Sequence, residues 1–171
     1  VAFDTGPASA LLDDFVMRRR GLTYDEDGKL AGAGKADAGL VATFMDNPYF
    51  ERRPPKSLDR NAFDISCLDG LSPADGAATL VHLTATSIGR AAGRFAERPK
   101  LYVICGGGRR NPSLMKEIRG LFEPLGERVM SAEEAGFDGD AMEAEAWAYL
   151  AVRSLRGLPL TFPMTTGVRG A

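Results

Sequence analysis

Three groups of residues in this chain have types and spacings that could do chemistry. The first is Asp4, which follows the apolar Val1-Ala2-Phe3 and precedes Thr5-Gly6-Pro7 and a helix-forming stretch. A carboxylate at a strand end faces the edge where open α/β sheets take their ligands. There it can accept a proton from an attacking water or a sugar hydroxyl. A turn aspartate that bonds its own backbone has the same local sequence, so residue type leaves both roles open. The second group is Asp140 and Glu143. Their spacing is that of a capping box, and a helix N-terminus pointing into a cleft would expose both carboxylates as well. The third is the junction in which Leu101–Cys105, an apolar run of strand type, stops at Gly106, Gly107 and Gly108 and leads through Arg109-Arg110 to Asn111-Pro112. Asn111 is placed to cap a helix and Pro112 suits its first position. Glycines let a flat ligand lie against bare backbone, and N–H groups at a helix start favour anionic groups. That layout points to a nucleotide site.

Three familiar patterns fit less well. Phe3-Asp4-Thr5-Gly6 matches the short signature of aspartic proteases, but those enzymes need two such carboxylates sharing a proton. This chain has one copy, followed by helix formers rather than β-rich sequence. It has no GxxxxGK[ST] stretch, and its glycine run is not GxGxxG, which weakens a dinucleotide reading.

The elements that must position these groups alternate along the chain. Val1–Phe3 reads as strand, Ala8–Arg20 as a helix with Leu11, Leu12, Phe15 and Val16 on one side, and Gly21 as its end. Tyr24–Gly34, polar with three glycines, reads as a loop, and Ala38–Met45 as a short helix stopped before Asn47-Pro48. Arg52–Ser57, with Pro54-Pro55, must be extended. Ser72-Pro73-Ala74-Asp75 opens a long helix whose buried stripe is approximated by Leu80, Leu83, Ile88, Ala91 and Phe95. Ser113–Phe122 is expected to be helical, Arg128–Met130 a strand, and Asp140–Arg156 a helix ended by Gly157 and Pro159. Trp147 and Tyr149 on that helix read as core or interface residues, and Glu145 as a solvated charge. This order indicates an α/β domain with helices packed on a sheet.

The 171 residues suffice for one domain, and the net charge of −2 gives no bulk attraction to nucleic acid or an anionic membrane. Arg18-Arg19-Arg20 reads as the basic last turn of a helix. Cys67 and Cys105 have no CxxC partners and read as reduced, buried thiols of a cytoplasmic protein. His82, the one histidine, reads as a partly exposed or hydrogen-bonded helix residue rather than a catalyst, and a structural zinc site is not expected. No apolar run approaches membrane-spanning length and no signal peptide is visible. The chain starts at Val in what reads as the end of a strand, so it looks cut at its N-terminus.

Taken together, these runs resemble the anhydro-N-acetylmuramic acid kinase family, bacterial members of the sugar kinase/Hsp70/actin superfamily. The matching residues are Phe3-Asp-Thr-Gly-Pro7, Tyr24-Asp25 with Gly28, Gly34-Lys35, Pro48-Tyr-Phe50 and Pro54-Pro-Lys-Ser57, then Cys105-Gly-Gly-Gly108 with Asn111-Pro112, Gly139-Asp140 with Met142-Glu-Ala144, and the Pro163–Gly167 tail. The resemblance implies a ribonuclease H-like ATPase lobe with a mixed sheet and packed helices, the C-terminal half of a two-lobed kinase. It implies hydrolysis of the 1,6-anhydro bond of anhydro-N-acetylmuramic acid with phosphorylation of O6 by ATP and Mg2+, a step of peptidoglycan recycling. Asp4 matches the catalytic base, Thr5, Gly6 and Glu143 the sugar site, and Gly106, Gly107, Gly108 and Asn111 the adenosine loop. A homodimer is implied for the full-length protein.

Two departures stand out. Ala8-Ser9 replaces the usual Gly-Asn, and Leu58-Asp59 the usual Thr-Gly. The family's N-terminal phosphate-binding lobe has no counterpart in these residues, so the isolated chain is expected not to turn over. A remnant that only binds nucleotide or muramyl sugar, and a different sugar kinase of the same superfamily, remain as alternative readings.

Overall fold

The computed structural model describes residues 1–168. Its centre is the long helix α4 (Pro73–Ala92), capped by the Ser72 hydroxyl on the Asp75 N–H and started by Pro73, as its sequence predicts. Around it pack α1 (Ala10–Arg20), the one-turn α2 (Lys29–Gly32), α3 (Ala38–Met45) and α5 (Pro112–Phe122). Phe15, Val16, Leu68, Leu80, Leu83, Ile118 and Phe122 are fully buried between them. The approach of α1 to α4 depends on Gly76, where a Cβ would lie 2.2 Å from the Phe15 ring. The three arginines end α1 as expected, and two of them also fasten the segment before α4: Arg18 pairs with Asp69 at 2.6 Å and Arg19 donates to the Leu71 carbonyl at 2.9 Å.

The sheet is smaller than expected, and among the described residues it is parallel rather than mixed. Strand β1 (Leu101–Ile104) pairs with β2 (Arg128–Ser131), Leu101 opposite Arg128 and Ile104 opposite Ser131, with α5 as the crossover. Val1–Phe3 has no strand partner among the described residues. Its end is held by a single backbone bond, from the Asp4 N–H to the Lys56 carbonyl at 3.3 Å.

Other expectations need correction. Tyr24–Gly34 is not a plain loop. The buried Asp25 carboxylate accepts the N–H groups of Leu30 and Ala31 at 2.8 and 3.0 Å, which starts α2 after a tight turn over Glu26–Gly28. The last long helix, α6 (Met142–Leu155), begins two residues late and lacks the Asp140–Glu143 capping box. Asp138 closes the turn before it, accepting the N–H groups of Asp140 and Ala141 at 3.0 and 3.1 Å, and α6 itself has no side-chain cap. No residue of α6 is buried, and Trp147 and Tyr149, 65% and 62% exposed, are not core residues of this chain. Phe95 lies beyond the end of α4 and is partly exposed against Phe3. Both cysteines are exposed: Cys105 follows the last paired residue of β1, and the turn at Ser66–Leu68 buries Leu68 instead of Cys67. His82 is helical and hydrogen-bonded as expected, its Nδ1 lying 2.8 Å from Glu117. Among the described residues no helix is long and apolar enough to cross a membrane.

Candidate functional site

The glycine run adopts the layout its sequence implies. After β1, Gly106 takes φ +71°, a left-handed value that favours glycine, and a tight turn over Gly107–Arg110 follows. Asn111 then caps α5, its Oδ1 accepting the Leu114 N–H at 3.0 Å, with Pro112 in the first turn. Gly107 has neither a positive φ nor any atom within 4 Å of where a Cβ would stand. The protein's own packing therefore does not require glycine at 107, whereas a flat ligand resting on that backbone would. Gly28 fits closely behind the loop: its φ is +62°, a Cβ there would lie 2.2 Å from the Asn111 side chain, and its carbonyl accepts the Ser113 hydroxyl at 2.8 Å.

Gly107 and Gly108 form one wall of a cleft of about 570 Å³, a size suited to a drug-sized or nucleoside ligand. The facing walls come from three other segments: Ser9 and Asp13 at the start of α1, Thr23–Asp27 before α2, and Val81 and Thr84 on α4. Tyr24, an exposed aromatic, lines it as well. The charges are mostly acidic, with Asp13, Asp25, Glu26 and Asp27 on one side and Arg110 on the glycine side. Asp25 is already committed to the α2 backbone, and Asp27 pairs with Lys29 at 3.0 Å. Among the described residues no three Asp, Glu, His or Cys side chains are gathered to hold a metal ion.

Ser9, Asp13 and Thr23 also line a second, shallower cleft of about 480 Å³ that runs over Pro7, Ala8 and Ala10. The turn after Asp4 and the glycine loop thus face connected surfaces. Asp4 itself lines neither cleft. It is exposed at the start of the turn, with one carboxylate oxygen accepting the Leu58 N–H at 2.8 Å and its carbonyl accepting the Tyr49 hydroxyl at 2.6 Å. Thr5 and Gly6 are half-buried, and Gly6 lies against α4, where a Cβ would come within 2.5 Å of the Ser87 hydroxyl. Ala8 takes φ +50°, and its carbonyl accepts the Thr84 hydroxyl at 2.9 Å.

Glu143 is brought to the glycine loop rather than to Asp4. It lines a third cleft, of about 450 Å³, with Gly106, Gly107, Arg109 and Asp140. Arg109 was not singled out by the sequence. Its side chain is 4% exposed and bonds Glu133 and Asp140, both at 2.7 Å. The Arg109 guanidinium beside Asp140 holds that carboxyl below the ordinary aspartate range, and Arg110 adds to the effect. The cleft residues Ser9, Thr23, Val81 and Thr84 were missed as well. They come from the start of α1, the bend before α2, and α4, and no local pattern brings them together.

A family model described as anhydro-N-acetylmuramic acid kinase matches residues 1–171. The chain is similar to an anhydro-N-acetylmuramic acid kinase of Rhizobium johnstonii, 53% identical over 167 residues that cover 98% of this chain and 45% of that protein. It is 52% identical to the kinase of that name in Agrobacterium fabrum, over 98% of this chain and 45% of the relative. Against the one in Rhodospirillum rubrum it is 51% identical, over 98% and 44%. The chain therefore spans less than half the length of these curated relatives.

Proposed function

The chain belongs to the anhydro-N-acetylmuramic acid kinase family, and from that premise we propose that residues 1–171 form one lobe, the C-terminal one, of an ATP-dependent sugar kinase with a ribonuclease H-like fold. The substrate is 1,6-anhydro-N-acetylmuramic acid and the product N-acetylmuramic acid 6-phosphate. The observation that carries this reading is the pair of connected clefts: the turn following Asp4 and the bare Gly107–Gly108 backbone share the surface of Ser9, Asp13 and Thr23.

The base and ribose of ATP belong in the larger cleft, against Gly107 and Gly108. Its acidic wall suits hydroxyl and amine donors and disfavours phosphates, so the triphosphate points away from Asp13, Glu26 and Asp27. ATP supplies the γ-phosphoryl group. Magnesium commonly binds through substrate phosphates with few protein carboxylates, so it travels with the triphosphate rather than in a cage on these residues. Asp4 takes the proton of the water that attacks the anomeric carbon. The bond from that carbon to O6 breaks, O6 attacks the γ-phosphorus, and ADP leaves. Glu143, on the third cleft beside Gly106 and Gly107, is placed to bind from the other side of the loop. Alignment and charge neutralisation carry most of such a transfer.

The test is ADP and sugar phosphate formation by the full-length gene product with ATP and the anhydro sugar, for the wild type and Asp4→Asn. Loss of both products in the variant supports the reading. Faster phosphorylation of ordinary hexoses would replace it with a different sugar kinase, and binding without turnover by the wild type with a non-catalytic remnant. The expected homodimer is read from the solution mass of the same product.

A further inference from the structure

We propose that Arg109 is the positioning residue of the glycine loop: its buried guanidinium joins the Gly106 carbonyl to the turns before and after Gly136 and so sets the backbone of Gly106–Gly108 in advance of nucleotide binding. This rests on the reading of the larger cleft as the nucleotide site.

Three segments meet on one planar group. Nη1 donates to the Gly106 carbonyl at 2.9 Å, Nε to Glu133 at 2.7 Å and Nη2 to Asp140 at 2.7 Å. Glu133 lies 24 residues on in the chain and Asp140 31 residues on, so the contacts are tertiary rather than local. Gly139 makes room for them. A Cβ there would stand 2.3 Å from Nε, 2.7 Å from Cζ and 2.7 Å from the Glu133 carboxylate. Both Gly106 and Gly139 thus have a structural reason to be glycine, the one its φ and the other this guanidinium, while Gly107 has neither.

A run of three glycines loses more conformational freedom on ordering than any other tripeptide. Without the guanidinium, the Gly106 carbonyl keeps, among the described residues, the backbone N–H of Arg109 at 3.3 Å. A loop that must order when it binds gives up part of its affinity, and one held beforehand does not. Only arginine presents donors in three fixed directions from one plane, and a lysine ammonium on a flexible stem cannot reproduce that fork. Asp140 completes the arrangement by also pairing with Arg110, the cation that lines both the nucleotide cleft and the Glu143 cleft.

The experiment compares the full-length gene product with Arg109→Lys, Arg109→Gln, Gly139→Ala, Gly107→Val and the surface variant Arg20→Gln, exposed at the end of α1. It reads kcat, KM for ATP, and the dissociation constant of a non-hydrolysable ATP analogue by calorimetry. Arg109→Lys is expected to raise KM and the dissociation constant about tenfold, the equivalent of one charge-assisted hydrogen bond, with Arg109→Gln higher still. Gly139→Ala, which presses on the guanidinium without changing its charge, shifts both in the same direction. kcat at saturating ATP stays within about threefold of wild type, the range expected when an interaction is lost equally from ground and transition states. Arg20→Gln changes neither. Analogue binding by Arg109→Lys and Gly139→Ala equal to wild type, or a fall in kcat with KM unchanged, overturns the assignment. If Gly107→Val weakens the analogue while those two do not, the Arg109 proposal alone fails. If Gly107→Val also binds like wild type, the nucleotide reading of the cleft fails first.

Discussion

The Leu58 backbone N–H donates to the Asp4 carboxylate at 2.8 Å. The contact uses main chain on one side, so the departure from the family's usual Thr at position 58 leaves it in place. It fixes the aspartate from the segment that also carries Lys56, whose carbonyl accepts the Asp4 N–H. Asp4→Asn keeps an oxygen for the Leu58 N–H, so the fold is expected to persist while phosphate transfer drops by about 10²-fold or more, the usual contribution of a general base. Leu58→Thr changes kcat by less than about threefold, as substitutions that spare a backbone contact do. A large loss in Leu58→Thr would mean that the side chain at 58, not its N–H, serves the site.

The second departure, at Ala8, has a visible backbone consequence. Ala8 adopts φ +50°, where an L-residue is strained and glycine is not, and the Thr84 hydroxyl holds its carbonyl in that conformation. Ala8→Gly is expected to stabilise the protein by about 0.5–1 kcal/mol, the relief of strain exceeding the extra entropy of an unfolded glycine. Ala8→Val should destabilise it, because a β-branched residue fits this region worse than alanine. Thermal melts of the three proteins decide the matter, and a lower melting temperature for Ala8→Gly would show that Ala8 carries no strain.

Elements with local punctuation were legible in the sequence. Ser72-Pro73 and Asn111-Pro112 start α4 and α5 where they stand, and Gly21 ends α1 in a left-handed conformation. What escaped was decided by distant partners. The helix at Lys29–Gly32 exists because Asp25 turns its carboxylate onto two N–H groups, although its glycine-rich sequence reads as loop. Asp140 was placed as a cap, but Arg109, 31 residues away in the chain, claims it, and α6 starts without a side-chain cap. The glycine loop could be read because bare backbone after a strand is a local signal. The opposing walls of its cleft could not, since Ser9, Thr23 and Val81 meet only in three dimensions.

The glycines in the loop and behind it should separate into two classes. Gly107 faces open space at ordinary φ, so Gly107→Val is expected to leave the melting temperature near wild type, as surface changes usually do within about 0.5 kcal/mol, while weakening ATP. Gly28→Ala should do the reverse. It combines a left-handed φ with a Cβ 2.2 Å from the Asn111 side chain, so unfolding should become easier before any ligand is added. Paired melts and ATP titrations test both, and a Gly107→Val protein that melts well below wild type would place that glycine in the folding machinery instead.

Glu127, at the β1–β2 end of the molecule, should be one source of acid sensitivity. Arg98 donates to both oxygens of Glu127, at 2.5 and 3.2 Å, and the Tyr102 hydroxyl donates at 3.1 Å. The Arg98 hydrogen bond, with Tyr102 adding to it, holds the Glu127 carboxyl below its ordinary value of 4.5. A carboxyl lowered on folding contributes stability in full above its unfolded value, and that contribution disappears as pH falls through the folded one. The wild type should therefore lose part of its stability from about pH 4.5 downward. Glu127→Gln keeps an acceptor but not the charge, so it is expected to be less stable at neutral pH and to fall less steeply between about pH 5 and about pH 3. Parallel melting curves for the two proteins across that range would remove Glu127 as a source of the acid sensitivity.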